Sequence, residues 1–414
     1  MVFMATIKKI TASEIINSRG YPTIFGKLVL DDNHEVTVSI PSLEAAFDYQ
    51  SKELRDNDET RYNGLGVSRA VSYINNLLGP KLEGISPSKQ LEVDSWLAKA
   101  DGTKDKSRLG VNTVSTISFL VARAGAYEQK LPLFKYINSL FGRSFPPTIS
   151  LEKLPSPIFT LLLGGKYGQV DLDFKEFQVI PSSAFSYSRS YQAGVDLYHL
   201  LRQLYKFNFS FNLDVVEAIK ATVAKKELTF GRDIFLGIHF GASSYEKASR
   251  YFIKDKQQPV PVEEYLNFID KSLIQRYLPL VITDALGHDD WGGWAKLSSS
   301  ISNEIYLTGD DLIGSNRERL EKVIKEKTCS AVVIRPNQVG TVTETLGLID
   351  MARKNKLSYQ IASDLGETDD NFIADFSVAV AADFLNFGPP VHGENVAKYN
   401  RLLEIEREIS NVKT

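Results

Sequence analysis

Hydrophobic and polar residues alternate through the first forty positions of the chain. The alternation runs over Ile7–Leu30 and Glu35–Ile40, and it is typical of strands with one buried face. Residues 31–34, Asp-Asp-Asn-His, have the composition of a hairpin turn between these segments. Gly20 and Pro22 predict a further turn inside the first segment. The chain is therefore expected to begin with strands joined by tight turns.

Helical periodicity follows these strands. Apolar residues recur at helical spacing over Val67–Leu78, and Gly79-Pro80 is expected to stop that helix. A longer helix is predicted over roughly 112–130, where Ala-Gly-Ala at 124–126 indicates a close packing contact. Strands followed by helices predict an α+β domain over residues 1–141, and a proline-containing linker over residues 142–157.

From residue 158 onward, strand patterns and helix patterns alternate. The strand-like segments are Ile158–Leu163, Glu176–Ile180, Ile234–Phe240, Leu280–Asp284, Glu304–Thr308, Ala331–Ile334, Ser358–Ala362 and Phe384–Phe387. The helical segments are Ser190–Tyr205, Pro261–Ile274, Asn316–Lys327, Val342–Lys356, Asn371–Ala382 and Glu394–Ile409. About eight strands with interleaved helices predict a closed α/β barrel over residues 158–414. A Rossmann sheet is the alternative, although no Gly-x-Gly-x-x-Gly or Walker motif occurs.

Composition narrows the possible functions. Apolar residues make up 43% of the 414 positions and charged residues 24%, which is ordinary for a soluble globular protein. The net charge of −3 offers no basic surface to nucleic acid or to an anionic membrane, and no apolar run is long enough for a membrane span. Cys329 is the only cysteine, so we expect a buried structural thiol in the cytoplasm or another reducing compartment.

The stretch Ala331–Thr345 concentrates polar residues after a strand. Its first four residues are apolar and predict a buried strand, and Arg335 follows at the carboxyl end. Gly340 then breaks the run, and Thr341 can cap a helix whose first turn holds Glu344. Barrel enzymes hold their reacting groups at this end of their strands. The stretch is therefore the first place to look for chemistry.

The same stretch resembles one in the enolases, where a lysine ends a strand and precedes Val-Asn-Gln-Ile-Gly-Ser-Val-Thr-Glu. Other segments similar to enolase motifs keep their order and approximate spacing: residues 18–23, 53–58, 175–181, 289–291, 309–312, 366–375 and 397–403. The resemblance covers nearly the whole chain. It implies a smaller α+β domain followed by an enolase-type TIM-like α/β barrel, and, in an active member, magnesium-dependent conversion of 2-phosphoglycerate to phosphoenolpyruvate in glycolysis.

Few catalytic and metal-binding positions of the resemblance keep the family's residue. Arg335 stands at the position of the lysine base, and an arginine stays protonated at any ordinary pH. Glu176 keeps one active-site glutamate, whereas the loop that supplies the second acid has no counterpart between residues 199 and 234. Asp310 keeps one metal carboxylate, but His239 and Thr283 replace the other two. This set is poor for Mg²⁺, and His239 with Asp310 is too small a set for zinc.

The substrate-binding positions also differ. Tyr167 stands where a histidine contacts the substrate in enolases, and Asn386 replaces the lysine that pairs with the substrate carboxylate. Asp364 replaces an arginine of the phosphate site, so this position should repel a phosphate. Ser42 keeps a serine of the loop that closes over the substrate. Leu43 and Phe47 replace glycines of that loop, and residues 43–46 favour a rigid helical turn over a hinge.

These replacements predict an enolase-like protein without catalytic activity or cofactor, with a binding, scaffold or structural role towards an unknown protein partner. The resemblance also implies a possible homodimer through the N-terminal domain. One alternative is a working phosphopyruvate hydratase, a lyase that would need Mg²⁺. Another is a repurposed pocket that binds a different small anion through Lys166, Arg335, His239, Tyr167 and His392.

Overall fold

The first part of the chain folds as an antiparallel sheet. In the computed structural model, which describes residues 5–43, 47–151, 153–168 and 170–411, strands β1 (Ile7–Ile16), β2 (Pro22–Leu30) and β3 (Glu35–Ser39) pair in that order. Both predicted turns are present at the ends of β2. The Oδ1 atom of Asn17 accepts the N–H groups of Arg19 and Tyr21, which holds the first turn closed.

Within the described residues up to 151, five α-helices follow the sheet. They are α1 (Ser68–Tyr73), α2 (Gly79–Leu82), α3 (Gln90–Asp101), α4 (Val111–Glu128) and α5 (Leu133–Ser144). Helix α4 is buried along nearly its whole length and packs against β2 and β3. The predicted stop at Gly79-Pro80 is wrong, because a π-helical turn over Ile74–Leu78 leads directly into α2. Pro80 lies in the first turn after this change of hydrogen-bond register, where its missing N–H is tolerated.

The second part of the chain forms a barrel. Its strands are β4 (Ser156–Pro157), β5 (Phe159–Leu163), β6 (Glu176–Pro181), β7 (Ile234–His239), β11 (Val281–Thr283), β12 (Tyr306–Gly309), β13 (Ala331–Ile334), β14 (Ser358–Ala362) and β15 (Phe384–Asn386). Their order is β4-β15-β14-β13-β12-β11-β7-β6-β5, and only Ile158 separates β4 from β5. The sheet therefore closes on itself, which confirms the predicted barrel and excludes the Rossmann alternative. Between β7 and β11, three short strands form a separate sheet: β8 (Glu246–Lys247), β9 (Arg250–Tyr251) and β10 (Val260–Pro261).

Helices surround this barrel. They are α6 (Tyr187–Tyr205), α7 (Asn212–Lys225), α8 (Val262–Phe268), α9 (Gln275–Tyr277), α10 (Trp291–Ser300), α11 (Arg317–Glu326), α12 (Pro336–Val339), α13 (Val342–Lys354), α14 (Phe372–Ala379) and α15 (Gly393–Asn411). A π-helical turn joins α8 to α9. The predicted barrel strands and their accompanying helices are confirmed to within a few residues, but α7, α10 and the short helices α9 and α12 were not predicted.

One strand of the barrel runs against the others. Strand β6 pairs antiparallel with both β5 and β7, whereas the pairs from β7 round to β4 are parallel. The described residues between β5 and β6 hold only a 3₁₀ turn and no crossover helix, and a connection of this kind suits antiparallel neighbours. As a result Glu176, the first residue of β6, pairs with His239, the last residue of β7.

The N-terminal part contacts the barrel at the carboxyl ends of its strands. The backbone N–H of Ser18 donates to the carbonyl of Glu367 at 2.8 Å, and the N–H of Ser42 donates to Gly366 at 2.9 Å. Farther along, the side chain of Thr343 donates to Asp94 at 2.6 Å. These bonds hold the N-terminal part against the barrel, and the Ser18 bond fixes the turn that follows β1 beside the strand ends.

Two further expectations concern burial. Cys329 is a buried free thiol, and burial raises its pKa to about 12, so it is a structural residue as predicted. Within the described ranges, no helix combines the length and the apolar character that crossing a membrane requires.

Gly125 in α4 provides a test of helix packing. A Cβ atom built there would lie 2.6 Å from Cζ of Tyr136 and 3.0 Å from the carbonyl oxygen of Pro87. Gly125→Ala should therefore lower the free energy of unfolding by about 1–3 kcal/mol, measured by urea denaturation. Gly292→Ala is the control, because a Cβ on this exposed helical residue meets nothing within 4 Å. Equal urea midpoints for the two variants would contradict the packing argument.

Candidate active site

Polar side chains converge at the carboxyl ends of the parallel strands. His239 ends β7, Asp310 follows β12, Arg335 follows β13, and Glu176 reaches the same level from the antiparallel strand β6. Above them is a cavity of about 350 Å³, lined in part by Glu176, Asp310, Arg335 and Asp364. The structure therefore brings together four residues that the sequence singled out.

Arg335 forms a buried bidentate ion pair with Asp310. Its two terminal nitrogens each donate to one carboxylate oxygen of Asp310, with a distance of 2.8 Å from Nη2 to Oδ2. Its Nε donates to the carbonyl of Ser363 at 3.2 Å and lies 3.6 Å from Oδ1 of Asp364. Burial opposes the charge on Arg335, but Asp310 outweighs it and raises the pKa of the guanidinium. Burial likewise opposes the charge on Asp310, and Arg335 holds its pKa below the usual range.

His239 lies beneath the cavity among carboxylates. Its Nε2 is 3.1 Å from Oδ2 of Asp284 and 3.9 Å from Oδ2 of Asp310, and its Nδ1 is 3.6 Å from Oε1 of Glu176. Burial and the charge of Lys175 lower the pKa of His239, but Asp284 and Glu176 raise it to about 9 overall. At neutral pH the imidazole therefore carries a proton on both nitrogens and is a second cation in the site.

Asp284 belongs to this group, although the sequence pointed to its neighbour Thr283. The Asp284 carboxylate accepts the backbone N–H groups of Asp310 and Asp311 at 2.8 Å each. Thr283 is buried in β11, and its Cα is paired with those of His239 and Thr308. The potential ligand atoms of His239, Asp284 and Asp310 lie within 4.8 Å of one another. Asp284 is thus a second carboxylate that the sequence comparison missed.

This group does not fit a magnesium ion in its present arrangement. Mg²⁺ takes six hard oxygen ligands, whereas both oxygens of Asp310 are bound by Arg335 and those of Asp284 accept two backbone N–H groups. The guanidinium of Arg335 and the protonated ring of His239 would also repel a divalent cation. An ion could use these carboxylates only if Arg335 released Asp310.

Glu176 is held as a carboxylate. Its Oε2 accepts hydrogen bonds from Thr160 Oγ1 at 2.6 Å, Gln178 Nε2 at 2.8 Å and Asn386 Nδ2 at 3.1 Å. Burial would raise the pKa of Glu176, but His239 outweighs burial and lowers it strongly. An ionised carboxylate cannot act as a proton donor. The amide of Asn386 is engaged on both sides, since its Oδ1 accepts the N–H of Gly388 at 2.8 Å.

The remaining candidates are distributed differently. His392 lines the cavity, whereas Lys166 is exposed in a 3₁₀ turn and does not line it. The backbone of Tyr167 ends the same turn, but its side chain lies outside the described part of the structure. Ser42 is buried, and its Oγ accepts from Asn17 at 3.0 Å. Residues 44–46 of the predicted rigid turn lie outside the described ranges.

Lys175 and Asp311 are, with Arg19 and Glu394, charged residues that line the cavity and were not singled out from the sequence as site residues. Lys175 immediately precedes β6, and Asp311 follows Asp310. A sequence signal existed for both, since each adjoins a residue that aligns with an enolase active-site position. Burial lowers the pKa of Lys175, but Asp311 and Asp310 outweigh it, so the ammonium stays charged.

The buried ion pair predicts a specific stability effect. Asp310→Ala should lower the free energy of unfolding by about 3–5 kcal/mol, because it removes the bidentate partner of the buried Arg335 guanidinium and leaves only Asp364, at 3.6 Å from Nε. Chemical denaturation measures this loss. The double change Asp310→Ala with Arg335→Met removes both charges and should recover most of it. A double variant that is no more stable than Asp310→Ala would contradict the pairing.

Comparison with known proteins agrees with the architecture. Residues 7–137 match the family described as the N-terminal domain of enolase, and residues 151–414 match its C-terminal TIM barrel domain. The enolases of Helicobacter pylori strains HPAG1, 26695 and J99 are each 34% identical to this chain, over 98% of its length and 97% of theirs. Two domain matches that span most of the chain, with this identity to whole relatives, establish that the chain belongs to the enolase family.

Proposed function

We propose that this enolase-family protein does not dehydrate 2-phosphoglycerate and has a binding role instead. The observation that carries the proposal is the ion pair between Arg335 and Asp310, at the positions of the family's base and of one metal ligand. One side chain thereby accounts for two losses. A guanidinium cannot accept the carbon-bound proton. Because it is bound to Asp310, its positive charge also takes the place of the charge that a metal would supply.

The acid side of the reaction is affected as well. Departure of a hydroxide requires a proton donor, and Glu176 lies in a network of three hydrogen-bond donors that favours its ionised form. The chain has no counterpart of the loop that carries the second acid in enolases. Catalytic groups act as a set. Loss of any one of them can lower the rate by orders of magnitude, and the groups that remain do not make up for it.

A second candidate is an active phosphopyruvate hydratase, a lyase with bound Mg²⁺. It is favoured by the full-length identity to proteins named enolase and by the buried group of His239, Asp284 and Asp310. This function requires Arg335 to leave Asp310 when metal and substrate bind. The names of the relatives support this candidate, and the arrangement of the site supports the first.

The binding role includes a partner. A protein partner and a homodimer through the N-terminal domain are parts of this proposal, in keeping with a chain that retains its packing motifs while its catalytic positions change. The cavity of about 350 Å³ also leaves room for a small ligand. A location in the cytoplasm or another reducing compartment is part of the proposal, and the single free thiol is consistent with it.

The deciding measurement is 2-phosphoglycerate dehydration with saturating Mg²⁺, beside an authentic enolase. We expect no turnover above buffer, and no rise in melting temperature on addition of Mg²⁺, because Arg335 occupies the carboxylate of Asp310. Glu176→Gln is the control for enolase carried over from the expression host. Turnover that disappears in this variant would overturn the proposal and establish the second candidate, whereas turnover unchanged by Glu176→Gln belongs to a contaminant.

A further inference from the structure

Lys175 and Asp311 line the cavity and interact electrostatically with each other, but they do not form an ion pair. Neither side chain makes a hydrogen bond or ion pair with any residue in the described ranges. Other acids beside them are fully engaged: Asp310 by Arg335, and Asp364 by the side-chain amides of Asn337 and Gln338. The free groups therefore stand out against a site in which most charges are neutralised internally.

The aliphatic stem of Lys175 and the backbone of Asp311 are held in place by neighbouring residues. The stem of Lys175 runs over Gly241, close enough that a Cβ built on this glycine would lie 3.2 Å from its Cδ. Asp311 is fixed by its backbone, because its N–H donates to Asp284 and its carbonyl accepts from the hydroxyl of Tyr49. An immobilised group that keeps its hydrogen-bonding capacity free is suited to binding a ligand, since little ordering remains to oppose association.

The charges around the cavity restrict the ligand. Among the described residues that line it, five are acids and three are cations: Glu176, Asp310, Asp311, Asp364 and Glu394 against Arg19, Lys175 and Arg335. A doubly charged phosphate would meet this excess of carboxylates, with Asp364 at the position where enolases hold the phosphate. A single carboxylate can still pair with Lys175, because Asp311 and Asp310 act on that ammonium without forming an ion pair with it. Asp311 requires a hydrogen-bond donor beside that carboxylate.

We propose that the cavity binds, without metal, a small unphosphorylated carboxylic acid that carries a hydroxyl or amino group next to its carboxylate. Lys175 pairs with the carboxylate, and Asp311 accepts from the hydroxyl or amino group. The inference deepens the proposed binding function and rests on it. A volume of about 350 Å³ lies at the small end of the roughly 300–1,000 Å³ typical of ligand pockets, which suits a molecule of a few carbons.

Calorimetric titration in the presence of EDTA tests this inference with four kinds of probe. Glycerate and lactate carry the hydroxyl, serine and alanine carry the amino group, propionate carries neither, and 2-phosphoglycerate adds the phosphate. We expect the hydroxy acids or the amino acids to bind at least about tenfold more tightly than propionate and 2-phosphoglycerate, as one charge-assisted hydrogen bond allows. Tighter binding of the hydroxy acids or of the amino acids shows whether a hydroxyl or an amino group of the ligand donates to Asp311.

Variants assign the contacts. Lys175→Met should weaken binding of the preferred acid by about tenfold or more, and Asp311→Asn should remove its advantage over propionate. Lys175→Gln, which keeps the volume, replaces the methionine variant if that protein fails to fold. Lys220→Met and Glu227→Gln change exposed residues outside the cavity and should bind like the unmodified protein.

The outcomes separate this inference from the proposed function. Absence of binding by all acids, equal binding of propionate, or full affinity in both Lys175 variants would overturn the inference. If 2-phosphoglycerate is still not turned over, the proposed lack of catalysis stands without it. Turnover of 2-phosphoglycerate that depends on Glu176 would overturn the proposed function itself.

Discussion

Closure of the barrel is the constraint on which the position of every candidate residue depends. The short strands β4 and β5 flank Ile158, and through them the same segment pairs with β15 on one side and with β6 on the other. This brings Asn386 within 3.1 Å of Glu176, although the two residues are 210 positions apart in the chain. In an open sheet the strands that carry Asn386 and Glu176 would lie near opposite edges, and these two side chains would be too far apart for a hydrogen bond.

Within the closed barrel, charge compensation shapes the site. Several carboxylates lie in a region with little water, where an unpaired charge is unfavourable by several kcal/mol. The chain meets this requirement with its own cations, a guanidinium on Asp310 and an imidazolium beside Asp284. Under the proposed function, Arg335 both stands at the position of the family's base and occupies the carboxylate of Asp310. Its guanidinium supplies positive charge that the buried carboxylates need.

Local signals predicted local structure well where one short segment was sufficient. Thr341 and Glu344 form the predicted start of α13, with the Thr341 Oγ1 accepting the N–H of Glu344 at 3.1 Å. The expected close contact at Gly125 is present. Helix α7 was not predicted, although its buried apolar residues recur at helical spacing. Gly79-Pro80 did not end a helix, since the π-helical turn before it changes which N–H groups are needed.

The sequence by itself determined the strands, the family resemblance and the identity of the residues at Arg335, Glu176, His239 and Asp310. Apolar runs and motif order are properties of the chain, and they persist whatever the neighbours are. Only the tertiary structure decided that β6 runs antiparallel, that Asp284 joins the carboxylates, and which charges remain free in the cavity. These outcomes depend on hydrogen bonds and ion pairs between residues of different strands. Such interactions form only after the barrel has closed and has brought those strands together.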